Sequence, residues 1–412
     1  MIGSGALDGL LAADPHNIVR LILPGPETGG PPGAAAGPLA AARLRDWLAA
    51  GVLVRDSEQA LYVYEQNGPG FLQRGLVGLV PVGAPEAAGI LPHENVMPGP
   101  VAGRRALMAA TQANLEPIFL VYNGSSGESG GPGESGGPDE SGGRQHGSAS
   151  LLVERVASRE KPLLTAVTHD GLTHRLWRVT EPAAHAAVAA GLTGRTALIA
   201  DGHHRYAAYR ELRDRMRAEG HGAGPWDYGL AFLVDADAYP PRLGAIHRVL
   251  PGLPDDEAAR RASAGFTVSS VDGDFDAATE ALASAGREGP AFLLAGEGGF
   301  RLLTSPDAAR LAAAMPAGTS ERWRALDAAA LQELLLADLW GIKDNEDDIR
   351  ISHDAAEAVR AARAAEGTAV LCNPVPFPAV REIAAYGERV PRKSTSFGPK
   401  PRTGLVLRTF SP

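Results

Sequence analysis

Apolar positions recur along this chain with two different periods, and the places where one period gives way to the other mark its elements. The run Thr196-Ala197-Leu198-Ile199-Ala200 is short, apolar and closed by Asp201-Gly202, which predicts a buried strand entering a turn. Directly after it, Tyr206, Tyr209, Leu212 and Met216 return at three- and four-residue spacing among Arg210, Glu211, Arg213, Asp214 and Arg217, the pattern of an amphipathic helix. Upstream, residues 18–23, 61–65 and 76–82 predict strands, and residues 39–50 and 104–113 predict helices. Residues 150–157 and 197–200 bracket a helical region near 183–190, and residues 175–179 are strand-like, with Trp177 expected in the core. Residues 229–234 predict another buried strand, and Ile246-His247-Arg248-Val249 follow the Pro240-Pro241 break as a further strand-like piece. From residue 254 onward, helical segments 255–263, 277–285 and 328–339 alternate with strand-like 291–295 and 369–371, and residues 404–408 predict a final strand. Strands and helices mixed in this way imply an α/β (mixed α+β) protein with a C-terminal α/β lobe.

Composition refines this picture at one place. Residues 124–148 repeat Glu-Ser-Gly-Gly at Glu128, Glu134 and Glu140 and have almost nothing apolar to bury, so they are expected to be a disordered acidic insertion in a loop. The expected organisation is an N-terminal part of the core (1–124), the insertion (125–148), a second part of the core (149–253) and the C-terminal lobe (254–412). The 412 residues are 44% apolar and 21% charged, as in soluble globular proteins. A formal charge of -9 disfavours a general nucleic-acid binder. The single cysteine, Cys372, rules out a disulfide framework and any cysteine-rich zinc module, and is read as a small buried residue. Without a signal-like start or a run of about 18 apolar residues, the expectation is a cytoplasmic protein with no membrane partner.

Chemistry concentrates at Asp201-Gly202-His203-His204-Arg205-Tyr206, which brings a carboxylate, two imidazoles and a guanidinium to a strand-to-helix junction. A helix N-terminus attracts anions, and Arg205 adds a planar fork suited to phosphate or carboxylate. The plain alternative is that Asp201 caps the helix, the histidines pack locally and Arg205 makes a surface ion pair. A second constellation, Leu91-Pro92-His93-Glu94-Asn95-Val96-Met97-Pro98, lies between prolines and is expected to be an extended loop. Met97 stands where a zinc protease would need its second histidine, so Glu94 is read either as a general base beside His93 or as a solvated loop carboxylate. Arg104 and Arg105, on the helix that leads to Asn114, either clamp phosphate or decorate a solvated face. Gly387 followed by Arg392-Lys393-Ser394 approaches a phosphate-binding P-loop, but Arg392 replaces its second glycine and Pro391 spoils the turn. Lys393, Ser394 and Thr395 are left as anion donors or as an ordinary exposed loop. No G-x-G-x-x-G follows a predicted strand, so a dinucleotide fold has no support. His353-Asp354 is read as a helix cap.

Taken as a set, these stretches resemble the family catalogued as Domain of Unknown Function 1015. The matching pieces are Asn17-Ile18-Val19-Arg20-Leu21, Leu61-Tyr62-Val63-Tyr64-Glu65-Gln66, Leu91-Pro92-His93-Glu94, Asn114-Leu115-Glu116-Pro117-Ile118-Phe119, His174-Arg175-Leu176-Trp177, Ala200-Asp201-Gly202-His203-His204-Arg205-Tyr206, and Lys393-Ser394-Thr395 with Lys400. Members of that family usually begin with a Pro-Pro-Tyr-Asp-Val-type segment, and its absence before Asn17 implies a truncated start. More locally, strand, Asp-Gly-His-His-Arg and helix are similar to the phosphate-binding box of the ParB and sulfiredoxin-like superfamily, which includes nucleotide-dependent kinases of free serine. That similarity implies a ParB/sulfiredoxin-like core binding ATP or ADP with magnesium. Asp201, Gly202, His203 and Arg205 would hold the phosphates, Asp201 and His203 would be the metal ligands, and His204 would act in catalysis. Glu94 enters as the base on chemical grounds, with His93 beside it, and His247 and Arg248 are possible additions. The expected function is a nucleotide-dependent phosphotransferase acting on a small hydroxyl-bearing metabolite, free L-serine first. The alternatives are a non-catalytic nucleotide switch and a metal-dependent hydrolase using His203, His204, His247 and Asp201.

Overall fold

The computed structural model describes residues 4–25, 36–84, 89–124, 147–343 and 348–410, so most of the acidic insertion expected at 125–148 lies outside the described residues. The chain forms two compact units, one of residues 1–92, 96–241 and 399–412 and the other of residues 93–95 and 242–398. The expected mixed α/β character holds in both.

The first unit is built on eight strands in the order Ile90–Leu91, Ala197–Asp201, Ile118–Tyr122, Tyr228–Asp235, Phe71–Pro81, Leu61–Gly68, Thr173–Val179 and Leu164–Val167. Ile118–Tyr122 is buried along its whole length, as its unbroken apolar sequence requires, and pairs parallel with Tyr228–Asp235 and antiparallel with Ala197–Asp201. Leu61–Gly68 and Phe71–Pro81 form a hairpin through Pro69-Gly70, where Gly70 at φ +63 supplies the left-handed turn position. On one face Tyr206, Tyr209 and Leu212 of the helix His203–Ala218 pack with Met108 of the helix Pro98–Thr111 against Ile118, Leu120 and Ile199. Three of the four apolar positions read as the helix's buried stripe are therefore in the core, and Met216 packs at its margin.

Two sequence expectations are corrected here. Residues 18–23 are not a strand: Asn17 Oδ1 accepts the Val19 N–H at 3.1 Å, and a short helix, Val19–Ile22, buries Val19 and Leu21. A brief apolar run does not itself distinguish a buried strand from a buried helical turn, and here Asn17 closes a local turn that leads into the helix. The final strand is also much shorter than 404–408, being only Arg408–Thr409, paired with Ala113–Asn114. Before it, Gly404 sits at φ +99, which breaks the extended run.

The second unit carries a fully antiparallel six-stranded sheet in the order Thr267–Val271, Gly299–Thr304, Phe292–Gly296, Thr368–Cys372, His247–Leu250 and Arg350–Ser352. One face packs on Leu331, Leu334, Leu335 and Leu336, which lie on a π-helix, Ala330–Leu339, in the segment expected to be an α-helix. The wider turn brings three consecutive leucines into the core, more than the narrow stripe of an α-helix does. Asp354 caps the helix Ala355–Ala364, as expected for His353-Asp354.

Candidate functional site

The strand Ala197–Asp201 ends irregularly: its pairing with Ile118–Tyr122 slips between Phe119 and Leu120, so the last residues bulge and Asp201 is re-aimed at the strand end. Gly202 follows at φ +98, and a Cβ there would lie 3.1 Å from Ile118 Cγ2 and 3.0 Å from Arg205 Nε. Only glycine serves both the backbone angle and the close approach. The helix then starts at His203, with the positive end of its dipole beside the Asp201 carboxylate.

Around this turn a five-member charge cluster assembles within the first unit. Asp201 faces Arg205 through one oxygen and Lys400 Nζ through the other, the latter at 2.6 Å. Arg205 also donates to the Pro117 carbonyl and lies 3.8 Å from Glu116, whose second oxygen takes Arg104 at 2.6 Å. Three cations against two carboxylates leave one net positive charge at a helix N-terminus. Burial pushes the Asp201 carboxyl upward, but Arg205, Lys400 and Arg104 outweigh it and hold the group below its ordinary value. Arg205 is 16% exposed and Lys400 59%, so Arg205 is fixed by its surroundings while Lys400 is the cation able to change partners. The neighbouring His204 accepts the Met97 N–H on Nε2 at 3.1 Å, so its proton sits on Nδ1 and it tethers the start of the helix that carries Arg104. His203 is buried in the same turn.

Of the other first-unit candidates, Arg105 pairs with Glu211 at 3.4 Å, outside this cluster. Asn114 is a structural residue: its Oδ1 accepts from the Leu230 N–H and from Arg408. Sequence reading missed Glu116 and the role of Lys400. The signal for Lys400 was Pro399-Lys400-Pro401, in which two prolines stiffen the backbone on either side of a single cation.

His93, Glu94, His247, Arg248, Lys393, Ser394 and Thr395 belong to the second unit. Within it the buried Arg248 guanidinium gathers the carbonyls of Ile246, Arg392 and Lys393 at 3.0–3.2 Å. Ser394 Oγ donates to the Pro391 carbonyl, His93 Nε2 meets Thr395 Oγ1 at 2.9 Å, and the Val390 N–H donates to the His93 carbonyl. The segment read as P-loop-like is thus a clamped turn, with Lys393 at φ +55 and the two hydroxyls engaged internally. Glu94 is half-buried. His247 accepts the Cys372 N–H on Nδ1 at 3.2 Å, and burial, helped by Arg248, pushes it down to about 4, so it is a neutral core histidine.

Asp327 borders a cavity of about 10 Å³ with Arg248, Cys372 and Lys393, room for about one water. Burial pushes its carboxyl up to about 6, opposed by the Ala291 N–H. An acid with a raised folded value binds its proton more tightly than the unfolded chain does, so it removes stability as pH climbs from 3.8 through 6. Asp327→Asn is therefore expected to stabilise the protein at pH 7.5 by about 3 kcal/mol and to change little near pH 4. Urea denaturation at the two pH values checks this, and an equal loss at both would refute it.

Magnesium at Asp201 fits poorly. Both carboxylate oxygens already face cations, and a metal would have to displace Lys400. Among the described residues, no group of three or more His, Cys, Asp or Glu side chains is gathered to hold a metal ion, so the hydrolase expectation finds no donor set. Nor is any helix among them long and apolar enough to cross a membrane.

The model of a family described as "protein of unknown function (DUF1015)" matches residues 2–129 and 144–329. No curated protein matches the chain. Among solved structures, a free serine kinase in complex with AMP is 13% identical, with 78% of this chain and 87% of that chain covered and a TM-score of 0.36. SbnI with a C-terminal truncation, from Staphylococcus aureus, is 12% identical over 81% of this chain and 87% of its own, at 0.38. A conserved hypothetical protein from Pyrococcus furiosus is 13% identical over 78% and 90%, at 0.35. At these TM-scores the overlays carry no inference about the chemistry of this chain.

Proposed function

For a chain that belongs to the DUF1015 family, we propose a nucleotide-dependent phosphotransferase acting on a small hydroxyl-bearing metabolite, with free L-serine the first acceptor to test. The observation that carries this reading is the pairing of Arg205 and Lys400 on Asp201 at the start of the helix His203–Ala218. Phosphoryl transfer needs mainly positioning and neutralisation of phosphate oxygens, and a rigid guanidinium, an exchangeable ammonium and a helix dipole supply both. Lys400 leaves Asp201 for the phosphate, while the helix dipole and Arg205 keep Asp201 ionised. The magnesium–nucleotide complex enters as substrate. Serine is chosen because the Asp-Gly-His-His-Arg box is similar to that of the ParB-like serine kinases, and the ParB/sulfiredoxin-like core belongs to the same proposal.

The base is Glu94. Arg205 and Lys400 hold Asp201 below its ordinary value, and a carboxylate stabilised in its ionised form is a weak proton acceptor, while Glu116 is engaged by Arg104. That same fact favours one second reading, a nucleotide-binding module without turnover, because both carboxylates of the cluster are committed to ion pairs. Incubation with magnesium, ATP or ADP and a panel of hydroxy amino acids separates the two. Nucleotide consumption with a phosphorylated product, lost in His204→Ala, is the expected result. Tight binding without product after overnight incubation supports the switch, and neither binding nor product refutes both.

A further inference from the structure

Lys400 can exchange partners only if its backbone stays where it is, and a closed ring of hydrogen bonds in the first unit holds it there. The Arg402 N–H donates to Tyr64 Oη at 3.1 Å, so the hydroxyl's own proton goes to His174 Nδ1 at 2.9 Å. His174 must then carry its hydrogen on Nε2, which meets Thr168 Oγ1 at 2.9 Å, and Thr168 donates to Asp170 Oδ1 at 2.5 Å. Asp170 pairs through its other oxygen with the Arg402 guanidinium, closing the ring. On the other side of Lys400 the fully buried Gln66 donates to the Pro399 carbonyl at 3.3 Å. Tyr64, Gln66 and His174 share one face of adjacent strands, since Gln66 stands directly opposite His174 and Tyr64 is two residues along.

We propose that Tyr64 and His174 are positioning residues that hold Lys400 at the Asp201–Arg205 turn, an inference that rests on the anion-binding reading of that turn. The links from the Arg402 N–H through Tyr64 and His174 to Thr168 run donor to acceptor in one order, and that order works only with His174 neutral. A second proton, on Nδ1, would leave the Tyr64 hydroxyl hydrogen without an acceptor where Tyr64 is 2% exposed. The titratable and charged groups facing His174 are Tyr64 from the strand Leu61–Gly68, Asp170 from the turn after Leu164–Val167, and Arg402 from the C-terminal segment, while the adjoining strand presents Ala166. Burial and then Arg402 push the imidazole below its ordinary 6.5, and Asp170 opposes them. The unfolded chain therefore takes this proton first as pH falls through 6.5, and the ring loses stability on the acid side.

The test measures ADP affinity by calorimetry and amide exchange across residues 399–409 in the full chain. Tyr64→Phe and His174→Ala are expected to weaken ADP binding about tenfold and to speed exchange at Arg402. His174→Gln, which can still accept from Tyr64 and donate to Thr168, is expected to restore affinity at pH 7.5 and to remove the acid-side decline relative to wild type. In a Lys400→Gln background Tyr64→Phe should weaken binding no further, which a merely structural role would not give. Equal affinities in wild type and Tyr64→Phe, or additive losses with Lys400→Gln, overturn the proposal. If wild type binds no ADP, the functional reading fails and exchange decides the anchor alone: unchanged protection at Arg402 in Tyr64→Phe refutes it, and lost protection supports it.

Discussion

Arg205→Ala is expected to lose about 1.5–3 kcal/mol of stability, the usual cost of removing hydrogen bonds to charged groups from a partly buried cluster. The guanidinium is 16% exposed and serves Asp201, the Pro117 carbonyl and Glu116 at once, so its removal sets two carboxylates and a carbonyl without their shared donor. Nucleotide binding should disappear with it. Should the alanine variant fail to fold, Arg205→Lys keeps the charge and loses the fork, and is expected to fold with weakened binding. Urea denaturation and an ADP titration check both. A stability change below about 1 kcal/mol, the scale of an exposed pair, would mean that the cluster is surface decoration.

Glu94→Gln should lower turnover by about 10²- to 10⁴-fold, the range for a lost general base, and leave nucleotide affinity intact. The distinction matters because Asp201 and Glu116 are engaged by Arg104, Arg205 and Lys400 and are not available for the role. Steady-state rates beside calorimetry read the two effects separately. Unchanged turnover would remove Glu94 from the chemistry, and parallel loss of affinity would make it a binding residue.

Local signals made the Asp201–Arg205 turn legible. An apolar run, an Asp-Gly break and a three-to-four spacing of Tyr206, Tyr209 and Leu212 prescribe strand, turn and helix without reference to the rest of the chain. Residues 18–23 failed the same kind of reading because a local turn closed by Asn17, not the apolar pattern itself, leads into the helix. The π-helix at Ala330–Leu339 was beyond periodicity, since Leu331, Leu334, Leu335 and Leu339 alone fit an α-helical stripe and only the burial of Leu336 departs from it. Lys400 lies almost 200 positions from Asp201 in sequence, and only the folded path of the C-terminal segment brings them together. For the same reason Arg248 and Ser394 looked like anion donors in sequence, yet within their own unit they clamp a turn.

The most direct test of the central claim is an ADP titration of wild type against Lys400→Gln. Lys400 is 59% exposed, so the substitution should leave the fold intact. Wild type should bind one ADP, and the variant should bind about 10- to 100-fold more weakly, the value of one charge-assisted hydrogen bond to phosphate. Identical affinities, or no binding by wild type at millimolar ADP, would contradict the claim that the Asp201–Arg205 turn and Lys400 form a phosphate site.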